Sequence, residues 1–98
     1  MTEPLFNTGS VVMTSTLKSV CERENIDDLG LVIHTLARHQ SGDWGNIHPG
    51  DTGCNEDALK TGNRLFSVYN LDNESKTTFW VITEWDRSVT TFLLPEDY

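Results

Sequence analysis

Several side chains with reactive or binding chemistry follow one another in the segment 38–45, which reads RHQSGDWG. Arg38 supplies a cation, His39 an imidazole, Asp43 a carboxylate and Trp44 an indole. Binding and catalytic groups are often carried on loops that a rigid scaffold holds in place. Such a group of side chains could bind an anion or a carboxylate of a partner. The segment nevertheless matches no known catalytic motif.

The imidazole and carboxylate of this segment lack an obvious third catalytic member. A His–Asp pair acts on a substrate only when the imidazole can reach a nucleophile. Cys54 is the candidate thiol, so a Cys54–His39–Asp43 arrangement stays open. The structural alternative places Arg38 and His39 in the last turn of a helix, where cations are favoured. Arg38 would then pair with Asp43 or Glu84, and losing one partner of a buried pair would destabilise the fold.

A second polar group lies at a predicted hairpin end, at residues 84–87. Acidic side chains there could act as general acid and base if their environments separated their pKa values, but Asp86 is also a common turn residue. Trp44 either fills the core as a loop anchor or forms a contact. Trp85, beside the turn, is the better candidate for an exposed interface anchor. The candidate binding residues are Arg38, His39, Asp43, Trp44, Glu84, Trp85, Asp86 and Arg87.

Helical patterns precede and include the first polar segment. Hydroxyls at residues 14–16 can cap a short helix over residues 17–24, with Leu17, Val20 and Cys21 on one face. A second helix is predicted to begin at residues 27–28, where carboxylates favour the positive end of the helix dipole. It should end near residues 40–42. Its apolar stripe, at the spacing of one helix face, contains Leu29, Val32, Ile33, Leu36 and Ala37.

The region after the second helix reads mainly as loop. Residues 41–54 are rich in Gly, Asp and Asn, and connections of that length are uncommon in compact domains unless they are functional. Asn55 or Asp51 would cap a short helix over residues 56–60, which Gly62 would end.

Alternating patterns after residue 64 predict three strands. They cover residues 64–71, 76–85 and 88–94. If Leu71 pairs with Lys76 and Trp85 with Ser88, the alternation of side chains fixes two faces. The face under the helices would hold Phe66, Val68, Phe79, Val81 and Phe92, and the other would hold Leu65, Tyr69, Trp80, Ile82 and Leu93. The predicted fold is a single α+β domain over residues 1–98, with short N-terminal helices before a three-stranded antiparallel β-meander and residues 11–13 as an extra N-terminal strand.

Charge gives the clearest indication of a partner. The 98 residues include 15 acids and 7 bases, for a net charge of −8. That charge repels nucleic-acid phosphates, so we expect no direct nucleic-acid binding. The charge either serves only solubility, as in many acidic bacterial proteins, or forms an acidic face that attracts a basic protein surface. In the second case the partner is a protein with a basic, nucleic-acid-binding surface. The oligomeric state stays open.

Other sequence features limit the chemistry that we expect. No apolar run reaches the roughly 20 residues of a membrane helix, and no secretory signal precedes the first helix; both predict a cytoplasmic protein away from membranes. Cys21 and Cys54 lack the paired spacing of a zinc site, and a cytosolic disulfide is unusual. Neither a metal nor a cofactor is expected.

Two stretches of sequence resemble a known family. The first is RH-x-x-GDWG at residues 38–45. The second is ITE-x-DRS-x-TT-x-LLPE-x-Y at residues 82–98. Together they resemble small bacterial proteins of plasmids, phages and integrated elements that are described as plasmid-related proteins, some of them labelled restriction-enzyme subunits. The resemblance implies no catalytic residue, and the chain lacks the Gly-rich loop that a methylating subunit would need. Trp85 departs from the family, which usually has a small residue there.

Size, charge and resemblance together predict an interaction protein. We expect an acidic mobile-element protein that binds and inhibits a host nucleic-acid-defence enzyme, as anti-CRISPR or anti-restriction proteins do, without catalysis of its own. The alternative is a small enzyme or ligand-binding domain that uses the RHQSGDWG loop and the Glu84–Arg87 hairpin end. The two differ in whether the polar side chains of both segments meet in one pocket.

Overall fold

A computed structural model describes residues 4–47, 49–71 and 77–98. The fold is α+β, and none of the helices in these ranges has the length and apolar character needed to cross a bilayer. In chain order the elements are β1 (Ser10–Met13), α1 (Ser15–Arg23), α2 (Asp28–Gln40), α3 (Pro49–Thr61), β2 (Leu65–Asn70), β3 (Thr78–Thr83), β4 (Val89–Leu93) and a final 3-10 turn (Pro95–Asp97).

The first helix follows the sequence prediction closely. The Thr14 hydroxyl accepts a hydrogen bond from the Leu17 amide at 3.3 Å, which satisfies one of the free donors at the helix start. The predicted face of Leu17, Val20 and Cys21 is buried. Burial and the nearby acids, Asp28 first, raise the pKa of the Cys21 thiol, so this cysteine is a packing residue.

The second helix has the predicted bounds, and its predicted apolar stripe is buried only in part. Val32 and Leu36 lie partly buried against the main core. Leu29 and Ile33 are 66% and 64% exposed, and Ala37 is also exposed. The most deeply buried side chains of α2 are polar, Thr35 and His39, and the His39 imidazole bonds two hydroxyl groups of the sheet.

The third helix is longer than predicted. It begins at Pro49, so the last part of the expected loop over residues 41–54, from residue 49 on, is helical. Proline is favoured in the first turn of a helix, where its missing amide leaves no bond unmade, and Asp51 adds a favourable acid there. Gly62 ends the helix as predicted, with a φ of +79° and its amide bonded to the carbonyl of Ala58 at 2.9 Å.

The sheet has four strands in the order β1-β4-β3-β2. Strands β2, β3 and β4 are antiparallel neighbours, and the predicted N-terminal strand joins β4 in parallel, with Ser10 opposite Val89. The three-stranded antiparallel meander was therefore an incomplete prediction, because the sheet is mixed. The parallel pair requires a long connection between its strands, and here all the helices lie in it.

One of the two predicted registers is correct. Strands β3 and β4 pair as expected, with Val81 opposite Phe92. The pairing of β2 with β3 is shifted by one residue from the predicted register. The Leu71 amide donates to the Thr77 carbonyl at 2.7 Å, whereas the prediction paired Leu71 with Lys76. Lys76 lies outside the described residues. A shift of one reverses every side chain of β2. The side chains that it moves onto the helix-covered face are Leu65, Ser67 and Tyr69, while Phe66 and Val68 join Trp80, Ile82 and Leu93 on the other.

The main core lies between α1, α2 and one face of the sheet. Its sheet side is aromatic, with Tyr69, Phe79 and Phe92 buried, and Phe79 and Phe92 stacked at 6.0 Å between ring centres. A second cluster of Trp44, Ala58 and Leu65, with Phe6, joins the segment after α2 to α3 and β2. The polar segment identified in the sequence lies between these two cores.

Candidate functional site

Arg38 pairs with Asp43, which is one of the two partners predicted for it; the other was Glu84. The Nε of Arg38 donates to one carboxylate oxygen of Asp43 at 2.8 Å, and a second guanidinium nitrogen approaches the other oxygen at 3.4 Å. The guanidinium also lies 4.7 Å from the ring centre of Tyr69. The side chains are 41% and 49% exposed, which makes the expectation of a buried pair wrong. Exposed pairs stabilise a fold by less than about 1 kcal/mol.

Asp43 also organises the loop that follows α2. Its carboxylate accepts the Gly45 amide at 3.2 Å, and its carbonyl accepts the Tyr69 hydroxyl at 2.6 Å. The hydrogen bond from Arg38 is the first cause that lowers the pKa of Asp43. Burial raises the pKa of Tyr69 to about 12, so this phenol stays protonated and donates. The carboxylate therefore holds the loop through contacts within the chain.

His39 lies fully buried at the end of α2, against three strands of the sheet. Its Nδ1 is 2.5 Å from the Ser67 hydroxyl, and its Nε2 is 2.9 Å from the Thr83 hydroxyl. The Thr83 hydroxyl lies 2.7 Å from that of Thr90. The Thr90 hydroxyl donates to the Thr8 carbonyl at 2.8 Å. The chain of bonds ties α2 and the N-terminal segment to β2, β3 and β4.

The direction of every bond in this chain follows from counting hydrogens. Thr90 has one hydroxyl hydrogen and gives it to a carbonyl, so it must accept from Thr83. Thr83 has then used its own hydrogen, so the Nε2 of His39 must donate to it. The Nδ1 is left as an acceptor for Ser67. The imidazole is thus neutral, with its hydrogen on Nε2.

The electrostatic surroundings agree with a neutral ring. Burial first, and the nearby cation of Arg87 second, lower the pKa of His39 from 6.5 to about 4. The rings of Phe6 and Trp44 contact the imidazole edge-to-face at 5.1 and 5.7 Å between centres. A fully buried imidazole with both nitrogens bonded to hydroxyls has no free nitrogen to offer a substrate.

Trp44 takes the structural role of a loop anchor. Only 5% of the residue is exposed, and its indole stacks on Phe6 at 6.3 Å between ring centres. Its Nε1 has no hydrogen-bond partner among the described residues. The next residue, Gly45, has a φ of +71°, and a Cβ there would lie 2.0 Å from the Val68 carbonyl oxygen. The glycine is needed for this close approach of loop and strand.

The Cys54–His39–Asp43 arrangement does not form. Cys54 is exposed on α3 and lines a cleft on the face of the sheet opposite His39. Both nitrogens of His39 already have partners, and Asp43 pairs with Arg38. Over residues 4–47, 49–71 and 77–98, no three potential metal ligands of the His, Cys, Asp or Glu type come together.

The hairpin end between β3 and β4 is held by its own side chains. The Asp86 carboxylate accepts the amide and hydroxyl of Ser88 at 3.0 and 2.6 Å, which lowers its pKa and confirms its role as a turn residue. Arg87 adopts a left-handed φ of +61°. Its guanidinium donates to the carbonyls of Asn63, Ala58 and Glu84 at 2.6, 3.1 and 3.1 Å. The turn is thereby fixed to the end of α3.

Trp85 is the large apolar side chain of this turn, and it is 67% exposed. Glu84 contributes backbone bonds to the turn, its amide donating to Val89 and its carbonyl accepting from Arg87. The eight candidate residues therefore separate into an exposed Arg38–Asp43 pair, a buried pair of rings at His39 and Trp44, and a hairpin end. Of these, Trp85 is the large apolar side chain that a partner could contact.

Two features of α3 were missed in the sequence. The Asn55 side chain, almost fully buried, bonds the Phe66 carbonyl at 2.6 Å and the Phe66 amide at 3.1 Å. A cleft of about 340 Å³ also lies beside α3. Its lining residues are Asp51, Cys54, Asn55, Arg64, Phe66, Trp80, Ile82 and Tyr98. The prediction of Asn55 or Asp51 as the cap of a helix over residues 56–60 was wrong, because both residues lie inside α3.

Several acidic residues are paired in the sequence, and these pairs lie on several elements. Asp27 and Asp28 begin α2, Glu56 and Asp57 are exposed on α3, and a third pair lies in the final turn. The pair at residues 72 and 74 falls outside the described residues. The negative charge is thus distributed over helix ends and turns, where carboxylates are well solvated.

No protein-family model, curated protein or solved structure matches this chain. The resemblance to mobile-element proteins therefore stays a prediction, and the function has to be inferred from geometry and charge.

Proposed function

We propose that this chain is a protein-binding inhibitor from a mobile element. Its partner is a host nucleic-acid-defence enzyme of the CRISPR or restriction type, bound through a basic surface that otherwise contacts nucleic acid. The observation that carries the proposal is Trp85, an indole 67% exposed on a turn that Asp86 and Arg87 hold rigid, in a chain of net charge −8.

A rigid exposed tryptophan supports binding to a protein surface. Trp is enriched among residues that dominate interface energies, and a pre-organised turn spares the entropy of ordering it on binding. The polar side chains around it, on Asp86 and Arg87, bond to the chain itself. The indole is therefore the part of this turn with surface left to bury.

The charge supports the choice of partner. An excess of eight acidic groups attracts a basic surface, and such a surface on a nuclease is the one that nucleic acid occupies. An acidic protein seated there would compete with the phosphates of the substrate. The resemblance to plasmid and phage proteins supports a defence enzyme as the owner of that surface.

The alternative of an enzyme or ligand-binding domain built on both polar segments has less support. It needed the side chains of Arg38, His39 and Glu84 to face one pocket. His39 is instead buried against Ser67, while Arg38 lies at the surface with Asp43. Arg38, His39 and Glu84 therefore do not meet in one pocket, and each of them makes a separate contact within the fold.

A plating experiment tests the proposal. The chain is expressed in a host with a CRISPR or restriction system and in a host without it, and both are infected with a phage that the system attacks. Plaque counts should rise only in the defended host. The purified chain should bind the purified effector of that host. Unchanged counts, with no binding to the effector, would contradict the proposed function.

Substituting Trp85 locates the contact. Trp85→Ala should weaken effector binding at least about 30-fold, since hot-spot aromatics contribute about 2 kcal/mol or more. The thermal midpoint should stay unchanged, because the indole is exposed. Tyr98→Ala is the matched control, as Tyr98 is 68% exposed in the cleft beside α3. A loss of binding in the control alone would move the contact to that cleft.

A further inference from the structure

The two edges of the sheet are treated differently. At β2, the outward groups of Phe66 bond the Asn55 side chain, and those of Val68 bond the backbone of the loop: the Val68 amide donates to Trp44 at 3.1 Å, and its carbonyl accepts from Asn46 at 2.6 Å. Proteins commonly cover edge strands in this way, because unpaired edges recruit other chains. The β2 edge is therefore closed to a further strand.

The other edge, β1, has no such cover in the described part of the chain. The amides of Ser10 and Thr14 donate to β4, at 3.0 and 2.9 Å. Because the bonding residues of a parallel strand alternate, Val12 also faces β4. The amide and carbonyl groups of Val11 and Met13 then lie on the outer side. Their four groups are spaced to accept one extended strand.

An apolar groove runs beside this open edge. Val11, Val12 and Met13 line it on the strand side, and Leu29 and Val32 on the α2 side, with a volume of about 480 Å³. The strand valines are 37% and 46% exposed, and Leu29 is 66% exposed. Leu29 and Val32 belong to the apolar stripe predicted for α2, while residues 11–13 were predicted as an N-terminal strand. The groove offers alternate side chains of an incoming strand a place to pack.

The net charge of the chain favours a basic segment over a second copy of the chain as the occupant of the groove. A second copy would bring another net charge of −8 to the same surface, so self-pairing is opposed by repulsion. Asp28 lines the groove and Asp27 precedes it, while Lys18 is the one basic lining residue. A strand with apolar side chains towards the groove and basic side chains outwards complements this edge.

We propose that β1 is a strand-addition site for an extended, basic segment of the protein partner. This inference rests on the proposed function for the identity of the partner. The site reaches the end of the sheet that carries the proposed contact at Trp85, because Ser10 pairs with Val89, the first residue of the strand after that turn. A segment on β1 therefore has one end at the same end of the sheet as the turn with the exposed indole.

The probe is an octapeptide of alternating lysine and valine, acetylated and amidated. Amide hydrogen exchange is followed residue by residue. At about ten times the dissociation constant of the peptide, exchange at Val11 and Met13 should slow about tenfold, since these amides become bonded in the occupied fraction. Exchange at Phe66 and Val68, on the covered edge, should not change. Protection on β2 instead of β1 would overturn the proposal.

Two peptides and two variants separate strand addition from general attraction. N-methylation of every residue keeps the charges but places methyl groups on both edges of the peptide and blocks strand pairing, so it should abolish protection; equal protection would overturn the proposal. Leu29→Lys should weaken binding at least about tenfold by replacing an apolar groove residue with a like charge. Leu5→Lys, at another exposed apolar position, is the matched control. Equal losses in both would reduce the effect to net charge and overturn the site.

The outcomes are distinct from those of the plating test. Protection of β1 by the peptide without any effect on plaques would leave the edge site standing and reject the proposed function. An effector bound equally well by the wild-type chain and by Leu29→Lys would keep the function and reject the site. Dimers at rising concentration, with Val11 protected in the absence of peptide, would replace the proposal with self-pairing.

Discussion

His39 is the residue on which the polar segment depends. It joins α2 to three strands through hydroxyl groups, and each bond has one permitted direction. Such a network satisfies the buried polar atoms and favours one arrangement of helix on sheet. His39 thus serves packing although it lies near Asp43 in sequence, because its imidazole is buried while the Asp43 carboxylate is exposed.

Acid should destabilise the fold through His39. Its pKa is about 4 when folded, against 6.5 ordinarily. Below pH 6.5 the unfolded chain takes up a proton that the folded chain refuses until about pH 4, so stability is fully present above pH 6.5 and falls as pH falls through this window. The loss between about pH 7 and pH 5 should be about 2 kcal/mol, measured by urea unfolding.

Two variants test whether the loss of stability in acid comes from the His39 imidazole. His39→Gln keeps a donor and an acceptor but cannot titrate, so its stability should change little across the same window. His34→Gln, on the exposed side of α2, should keep the wild-type dependence. The carboxylates of Asp43 and Asp86 have lowered pKa values and act below this window. A wild-type slope in His39→Gln would show that other groups take up the proton.

At the scale of elements, Asn55 determines how α3 meets the sheet. Its amide mimics a neighbouring strand, giving Phe66 both a donor and an acceptor. Asn55→Ala should lower the free energy of unfolding by about 2 kcal/mol, because two buried backbone groups lose their partners. Thermal unfolding measures the loss, and faster amide exchange at Phe66 places it on β2.

Thr52→Ala is the control for that substitution. It lies exposed on the same helix, so it tests the effect of alanine on α3 without touching the strand. An Asn55→Ala protein as stable as this control would mean that water replaces the side chain, and that the β2 edge is held by the Trp44–Asn46 loop instead.

Helix bounds and strand registers could be predicted from the sequence only in part. The bounds of α1 and α2 and the β3–β4 register followed from local signals, namely caps, helical spacing and a two-residue turn. The β2–β3 register did not, since it depends on burying Leu65 and Tyr69 rather than on the turn alone. The start of α3 was missed because its early residues have weak helix propensity, which contacts such as Asn55 with Phe66 compensate.

In the candidate site, too, features set by neighbours in sequence could be predicted, and features set by distant residues could not. The exposure of Trp85 and the turn role of Asp86 could be predicted, because they depend on neighbours in sequence. The burial of His39 could not, since its partners Ser67 and Thr83 lie far away in the chain. Apolar spacing on α2 pointed to Leu29 as core, but the buried side of the helix includes Thr35 and His39, and Leu29 is exposed.

For the whole molecule, the surface combines strong negative charge with a few exposed apolar positions. Trp85 and the β1 groove offer area to bury, while acids outnumber bases in the chain by fifteen to seven. Apolar contacts set how long a complex lasts, and charge sets how often partners meet. The two contributions can therefore be measured separately.

Association with a basic partner should weaken steeply with salt. The Debye length falls from about 10 Å at 0.1 M to about 3 Å at 1 M, so steering by the net charge of −8 should fade. Stopped-flow mixing with the effector should show the association rate falling at least about tenfold over this range, with little change in dissociation.

A charge variant completes that test. Glu56→Gln with Asp57→Asn neutralises two exposed acids on α3, which changes the net charge from −8 to −6 and should lower the association rate at low salt and flatten its salt dependence. The free energy of unfolding should stay within about 0.5 kcal/mol of wild type, as for most surface substitutions. A rate independent of salt in the wild-type chain would remove charge from the recognition and leave Trp85 and β1 as its basis.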